Sequence, residues 1–549
     1  MEKDNNFWLW PYCLSIFVLG FVVYFQAIFF GYVYLDDHVI VLENLPFLSD
    51  FSNILRTFKQ DFFHSAFGGA YYRPILTISF MPDAHMGGAK PFIYHLTNVL
   101  IHLTASCLVF LTLVKMGYKK QLCFFFGLVF VVHPILTQAV AMIVGRNDSL
   151  VTVFALASFI VFLNYLKSKK VIYLLLHLLF FTLAVLTKEN AFALIILCVY
   201  YMYFIADEKK YVLYKYLVSF WAGIVVVWCF LRNSAITNSM KFSVPEIAKA
   251  VMQKLPSILQ FLGKILFPVN MSVFTTVKDT TIIYGIVVLV FIYVALWFTK
   301  NRRYSYAIFG ASWFLLFLMP SFITEFSVVS TYLEERIYLS LIGFIIVLLE
   351  TDVVNKAFQN RRSAAIFGAM IILLFTAITF NYSKDYRNRI AYWESAVKNA
   401  QSSPLAHRNL GAMYYLDGIK DKAEMEFVKS LELNKNEPMA HNNIGILLME
   451  KGDLKGAETE YKKEIEINPM FPNVYYNLGL LYYKENRLNE ASAVWEKAIE
   501  TNPNYIDAYY NLAVVYYVQG KYNECAIYVR YLKDKGVKLD SKLLSVIKE

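Results

Sequence analysis

Between residues 7 and 380 the chain returns eleven times to an apolar run. The runs lie at about 7–30, 93–114, 121–139, 149–166, 171–187, 190–206, 212–231, 281–299, 304–323, 336–351 and 364–380. Crossing hydrocarbon takes about 20 apolar residues, and a backbone there must satisfy its own hydrogen bonds. The runs therefore predict a bundle of membrane-spanning helices. A soluble core is excluded by composition, since 58% of the 549 residues are hydrophobic and only 17% are charged. The first run is too long for the core of a signal peptide and lacks a small-residue cleavage site, so it reads as a retained span.

Beyond residue 380 the pattern becomes polar and periodic. Asn409-Leu410-Gly411, Asn443-Ile444-Gly445, Asn477-Leu478-Gly479 and Asn511-Leu512-Ala513 recur every 34 residues. Ala423, Ala457, Ala491 and Cys525 hold the next small position, and Phe427, Tyr461, Trp495 and Val529 a large one. Pro469 and Pro503 close their repeats. This is the tetratricopeptide period, helix–turn–helix, with four repeats over about 405–538. The expected fold class is all-α: a polytopic helical membrane domain of about 11 spans over 1–380, a linker helix over 381–404, and a tetratricopeptide α-solenoid over 405–549.

Lys and Arg set the orientation of such a bundle. With Lys3 cytoplasmic, five basic clusters fall on the same side: Lys115, Lys119 and Lys120; Lys167, Lys169 and Lys170; Lys209, Lys210 and Lys215; Lys300, Arg302 and Arg303; Lys356, Arg361 and Arg362. Counting residues 256–274 as a twelfth span would break this agreement, so that stretch reads as interfacial or re-entrant. The expected protein is multi-pass, in a cell inner membrane or its equivalent. Its N-terminus is cytoplasmic and its repeat array lies on the outer, periplasmic or luminal side. The net charge of +10 is then membrane anchoring rather than a nucleic-acid footprint. Cys525 stands alone in the polar part, so neither a disulfide framework nor a Cys-x-x-Cys metal site is readable.

The outer loops collect the unusual polar residues. The first, 31–92, carries the adjacent carboxylates Asp36 and Asp37, then His38, Glu43, Asn44 and Tyr72-Arg73-Pro74. Its middle, about 50–63, has helical apolar spacing among charges and suits the membrane surface. Later loops hold His133-Pro134 and Gly145-Arg146-Asn147-Asp148, then Lys188-Glu189-Asn190, and finally Glu325, Glu334, Glu335, Arg336 and Tyr338. His95, Asn98 and His102 form one stripe on the second span, as a helix–helix hydrogen-bond seam or, at His95, a cavity wall.

A carboxylate near the interface can act as general base on an acceptor hydroxyl, and Arg and Lys can receive a leaving phosphate. No GxGxxG or Walker-type loop is present for a nucleotide. The set suits a sugar donor carried on a polyprenyl phosphate. In the order of Asp36-Asp37, Tyr72-Arg73-Pro74, His95-x-x-Asn98-x-x-x-His102, His133-Pro134, Gly145-Arg146-Asn147-Asp148, Lys188-Glu189 and Glu335-Arg336-x-Tyr338-Leu339, followed by repeats, the chain resembles the GT-C class of membrane glycosyltransferases. It is most similar to the transmembrane and tetratricopeptide-containing O-mannosyltransferases and their bacterial relatives.

The resemblance implies a catalytic acidic pair, with Asp36 or Asp37 as base, a polyprenyl or dolichyl phosphate mannose donor and a protein acceptor, Ser or Thr, held through the repeat groove. Electrostatics adds Arg73, Arg146, Lys188 and Arg336 as candidates for the donor phosphate. His95, Asn98, Glu335 and Tyr338 are candidates for the cavity wall. Pairing within Arg146–Asp148 and within Lys188–Glu189 is the structural alternative. No spaced metal-ligand motif is readable, although related membrane transferases can use a divalent cation. Partners are then the lipid-linked donor, the acceptor and membrane lipid, with no nucleic acid. A non-enzymatic scaffold recruiting partners through the array is the alternative function. A transporter fits less well, because no ionisable residues sit deep in several spans.

Overall fold

The computed structural model describes residues 9–63, 71–206, 211–236, 243–300, 303–323 and 331–547, the side chains of 211–215 excepted. Lys3, Lys209, Lys210, Arg302 and Glu325 lie outside the described residues. Two compact units divide at Gln401 and Ser402.

Among the described residues the first unit is helical except for one two-residue antiparallel ladder, with Thr275 opposite Tyr332 and Thr276 opposite Thr331. Among the described residues six helices are long and apolar enough to cross a membrane: Trp10–Phe29, Pro91–Lys115, Ile143–Ser168, Tyr216–Ala235, Tyr304–Phe322 and Arg361–Tyr386. A seventh crossing is broken. Lys120–Val132 and Pro134–Ala141 meet at 51°, because Pro134 lacks the N–H that would continue the first helix and pushes His133 out of helical geometry. The remaining apolar runs form shorter helices, Val171–Thr187, Glu189–Ile205, Ile283–Trp297 and Ser340–Leu349. All eleven apolar segments are thus helical, and six or seven have the length of a crossing. This is a multi-pass membrane architecture.

Helices approach closely where side chains vanish. A methyl group on Gly310 would meet the carbonyl oxygen of Gly343 at 2.7 Å, so Tyr304–Leu318 and Ser340–Leu349 pack backbone to backbone. The stretch 256–274 holds only the ten-residue helix Ser257–Leu266, too short to cross.

The first loop is more ordered than its sequence suggests. Phe51–Lys59 forms a 3₁₀ segment that exposes Phe51 and Leu55. A 14-residue helix, Pro74–Gly87, follows. Pro74 occupies its first turn, where a missing N–H costs nothing, and Gly88 ends it at φ +56°. Residues 381–404 comprise the end of helix Arg361–Tyr382, a turn at Ser383–Tyr386 and helix Arg389–Asn399. The last of these packs in the first unit: Trp393 Nε1 donates to the Val33 carbonyl at 3.1 Å and Tyr392 hydroxyl to that of Val273 at 3.1 Å.

The second unit is a solenoid of four helix pairs. Pro404–Leu416 packs with Lys420–Leu433, Ala440–Lys451 with Leu454–Ile467, Pro472–Lys484 with Leu488–Thr501, and Ile506–Val518 with Tyr522–Asp534. The repeat glycines explain the pairing. A methyl group on Gly411 would stand 2.7 Å from the Phe427 ring, and on Gly445 2.5 Å from the Tyr461 ring; Gly479 faces Trp495 in the same way. In the fourth repeat Ala513 stands where the others have glycine and Val529 where they have a ring, so a methyl group is added on one side and bulk removed on the other within one buried cluster. Each hairpin turns through a left-handed residue: Gly418, Gly452, Asn486 and Gly520.

Candidate functional site

Asp36 and Asp37 are neighbours with different surroundings. Asp37 is buried, and its carboxylate accepts from the backbone N–H of Val33 at 2.7 Å and of Tyr34 at 2.8 Å. It thereby closes a tight turn in which Tyr34 adopts φ +59°, an uncommon conformation for a residue with a side chain. The turn is held from outside as well, since Gly31 N–H donates to the Arg387 carbonyl at 2.9 Å. Burial raises the Asp37 carboxyl to about 6, against the pull of the two backbone N–H groups. Asp36 is partly exposed. Its charge reaches Glu335, whose carboxyl is pushed well above the usual range by burial first, then by Asp148 and Asp36, against Arg336 and Lys188.

Three of the four candidate cations line one cleft. Arg73, Lys188 and Arg336 share it with Tyr71, Asp148, Glu189 and Asn190. They arrive from three separate stretches of chain, and their pairing crosses between loops. Arg73 grips Glu189 through two bonds, Nε to Oε2 at 3.2 Å and Nη2 to Oε1 at 2.8 Å, and stacks over Tyr71 at 4.4 Å. Lys188 Nζ reaches Asp148 Oδ1 at 2.5 Å and Asn147 Oδ1 at 3.2 Å. Arg336 lies 4.0 Å from Asp148 and 3.8 Å from Glu335. Burial draws the Lys188 ammonium down to about 8, although Asp148 opposes this. The pairing within each loop weighed above therefore gives way to Arg73–Glu189 and Lys188–Asp148.

Arg146 is elsewhere. It is fully buried, and its guanidinium donates to Asn98 Oδ1 at 2.6 Å, the Ser79 carbonyl at 2.7 Å, Asp83 Oδ2 at 2.5 Å and the Tyr94 carbonyl at 3.0 Å. Phe80 covers it at 4.2 Å. Asn98 completes this knot through the carbonyls of Met142 and Ile143 at 2.9 and 3.0 Å. Four of the five guanidinium N–H groups are taken and the side chain is fully buried, so this arginine braces helices rather than lining the cleft. Asp83 was not singled out in the sequence. Its signal was a lone acid in an apolar stretch followed two residues later by His85.

The remaining candidates divide similarly. His102 Nε2 faces the Val131 carbonyl at 3.0 Å, which only accepts, so Nδ1 receives the Tyr338 hydroxyl at 2.6 Å. Tyr338 is fully buried in that bond. His95 lies 3.4 Å from the Gly31 carbonyl, at the base of the Asp36–Asp37 turn, and its Nδ1 has no partner among the described residues. His133 ties the bend at Pro134 to the Ile265 carbonyl at 3.0 Å. Asn44 caps its own turn through the Val39 carbonyl at 2.7 Å. Beside Glu335, Glu334 makes a separate buried pair with Lys264 at 2.5 Å and accepts from Tyr382 at 3.1 Å. Two polar cavities of about 350 and 450 Å³, sharing Asn270, Lys398 and Asn399, lie outside the cleft. No group of three His, Cys, Asp or Glu residues placed to hold a metal ion occurs among the described residues.

The protein O-mannosyl-transferase F38B6.6 of Caenorhabditis elegans is 24% identical over 459 residues, 77% of this chain and 62% of that protein. TMTC3 of Mus musculus, also a protein O-mannosyl-transferase, is 31% identical over 194 residues, 34% of this chain and 20% of its own length. Drosophila melanogaster Tmtc1 is 32% identical over 186 residues, 33% and 21%. The chain thus spans a fifth of the mouse and fly relatives and three fifths of the nematode one. The TPR repeat family matches residues 445–486 and 481–520. Among solved structures, the TPR protein YrrB is 18% identical, covering 36% of this chain and 98% of that one with a TM-score of 0.25. Most of the chain is thus similar to one protein O-mannosyl-transferase and about a third of it to two others named TMTC3 and Tmtc1, and its described residues combine a helical membrane unit with TPR repeats.

Proposed function

We propose that the protein is a glycosyltransferase that moves a sugar, mannose, from a polyprenyl-phosphate carrier to a Ser or Thr hydroxyl of a protein, on the outer face of the membrane. The observation that carries the reading is the gathering of Arg73, Lys188 and Arg336 around one cleft, with Arg336 3.8 Å from Glu335, a carboxylate that the charge of the partly exposed Asp36 also reaches. The similarity to protein O-mannosyl-transferases supports the same class of reaction.

In this reading Asp36 takes the proton of the acceptor hydroxyl. The hydroxyl oxygen bonds to the anomeric carbon as the carbon–oxygen bond to phosphate breaks. The phosphate leaves with the electron pair, and its charge is received by the three cations. Asp37 fixes the turn that presents Asp36 and stays out of the chemistry, because both its oxygens serve backbone N–H groups. Arg146 leaves the phosphate set for the helix brace. The basic loops on one side favour an outward-facing cleft.

The test uses the full chain in lipid with radiolabelled polyprenyl-phosphate sugars and acceptor polypeptides. Label on protein with wild type but not with Asp36→Asn, at equal thermal stability, is the expected result. Equal transfer by both removes Asp36 from the reaction. No transfer from any donor by folded wild type returns the chain to the scaffold alternative.

A further inference from the structure

The cleft contains more hydrogen-bond acceptors than its own donors use. Asp148 gives one oxygen to Lys188 at 2.5 Å, while its other oxygen, buried, makes no hydrogen bond; Arg336 stands 4.0 Å away, beyond bonding distance. Asn190 follows Lys188 and Glu189 at the start of the next helix. It is nine-tenths buried and lines the cleft, and its carboxamide oxygen has no partner among the described residues. Buried acceptors without a donor are rare, and two around one cleft point to a ligand that brings donors.

A phosphodiester cannot satisfy them, because at neutral pH it offers only acceptors. A lipid tail offers nothing polar. A metal ion is opposed by Arg73, Lys188 and Arg336 around the same space. A polyhydroxylated ring supplies O–H donors in several directions. We infer that Asn190, with the outer oxygen of Asp148, receives hydroxyl groups of the transferred sugar, so that the cations hold the phosphate and these two acceptors read the ring attached to it. This assignment rests on the reading of the cleft as a sugar-phosphate donor site. It makes Asn190 a residue that determines which sugar is accepted, since a site built to pair hydroxyls rejects ligands that lack them far better than an apolar wall does.

The experiment compares two probes on the full chain in nanodiscs: polyprenyl phosphate and polyprenyl-phosphate mannose. Wild type is expected to bind the mannosyl form more tightly. Asn190→Ala is expected to keep its affinity for polyprenyl phosphate and to lose about tenfold for the mannosyl form. Asn190→Asp keeps an acceptor in the same shape and should retain the preference, which guards against a fold defect in the alanine variant. Equal weakening towards both probes would make Asn190 a phosphate contact, and unchanged affinity for both would remove it from the site; either overturns the inference while leaving the transferase reading intact. A wild type that binds neither probe and transfers nothing overturns both.

Discussion

The two units handle charge in opposite ways. In the first, ionic groups pair across long stretches of chain, and three pairs are buried on both sides: Arg146 with Asp83, Lys188 with Asp148, Lys264 with Glu334; buried Arg73 pairs with the partly exposed Glu189. In the second, pairs such as Lys429–Glu432 and Lys497–Glu500 are exposed and local, three residues apart on one helix. Local exposed pairs contribute little and can be exchanged freely. Buried pairs are strongly coupled, because removing one partner strands the other in a medium that cannot solvate it. The membrane unit therefore concentrates its specificity in a few irreplaceable contacts, whereas the solenoid distributes its stability over repeated apolar packing.

The sharpest way to break this contrast is Arg146→Ala. It strands Asp83 and empties four hydrogen bonds, and should destabilise the membrane unit by about 3–5 kcal/mol. Thermal unfolding in detergent would show it, and an unchanged midpoint would contradict the brace. A smaller effect tests the solenoid's currency. Gly445→Ala should cost about 1–3 kcal/mol by driving a methyl group into Tyr461. Adding Tyr461→Val copies the Ala513–Val529 solution of the fourth repeat, so the double variant should be more stable than the sum of its singles predicts.

Lys188 gives a pH test. Its ordinary value of 10.5 is drawn to about 8. Below pH 8 it is charged and can hold phosphate; above pH 8 donor affinity should fall, approaching tenfold per unit. Stability should move the other way between pH 8 and 10.5, because there the unfolded chain binds the proton that the folded one has lost. Lys188→Arg should bind donor evenly across that window in a titration of KM. The smallest expected effect is Lys497→Ala, which should leave the unfolding midpoint where it was.

Legibility from sequence follows the same division. The solenoid could be read because its contacts repeat: Gly445 meets Tyr461 for the reason Gly411 meets Phe427, and a 34-residue period exposes the reason. The apolar runs could be read because hydrocarbon permits one backbone solution. Arg73, Lys188 and Arg336 were legible as cations at loop ends, and the cleft gathers them. Arg146 had the same residue type in the same kind of place, yet its destination depended on Asp83, 63 residues away, and on carbonyls left open at Ser79 and Tyr94. Helix Pro74–Gly87, which carries Asp83 and Ser79, was hidden in a stretch that read as loop. The different duties of Asp36 and Asp37 were equally out of reach, since only the turn's geometry shows which carboxylate the backbone consumes.

The left-handed residues of the solenoid have a consequence for how such a chain can change over generations. Gly418, Gly452, Asn486 and Gly520 are spaced by 34, and the N–H of the residue just before the next helix closes back at 2.8–2.9 Å in each turn, as from Ile419 to Tyr414 and from Arg487 to Tyr482. Every repeat carries its own stop and its own restart. A tandem duplication or deletion of 34 residues, begun at any point in the array, restores both and leaves the seams indistinguishable from the original joints. One of 33 or 35 puts a side chain where the turn needs a left-handed residue and a ring where a helix needs a glycine. Array length is thus free to drift in whole steps, while the buried ion pairs of the membrane unit hold their loops to fixed lengths.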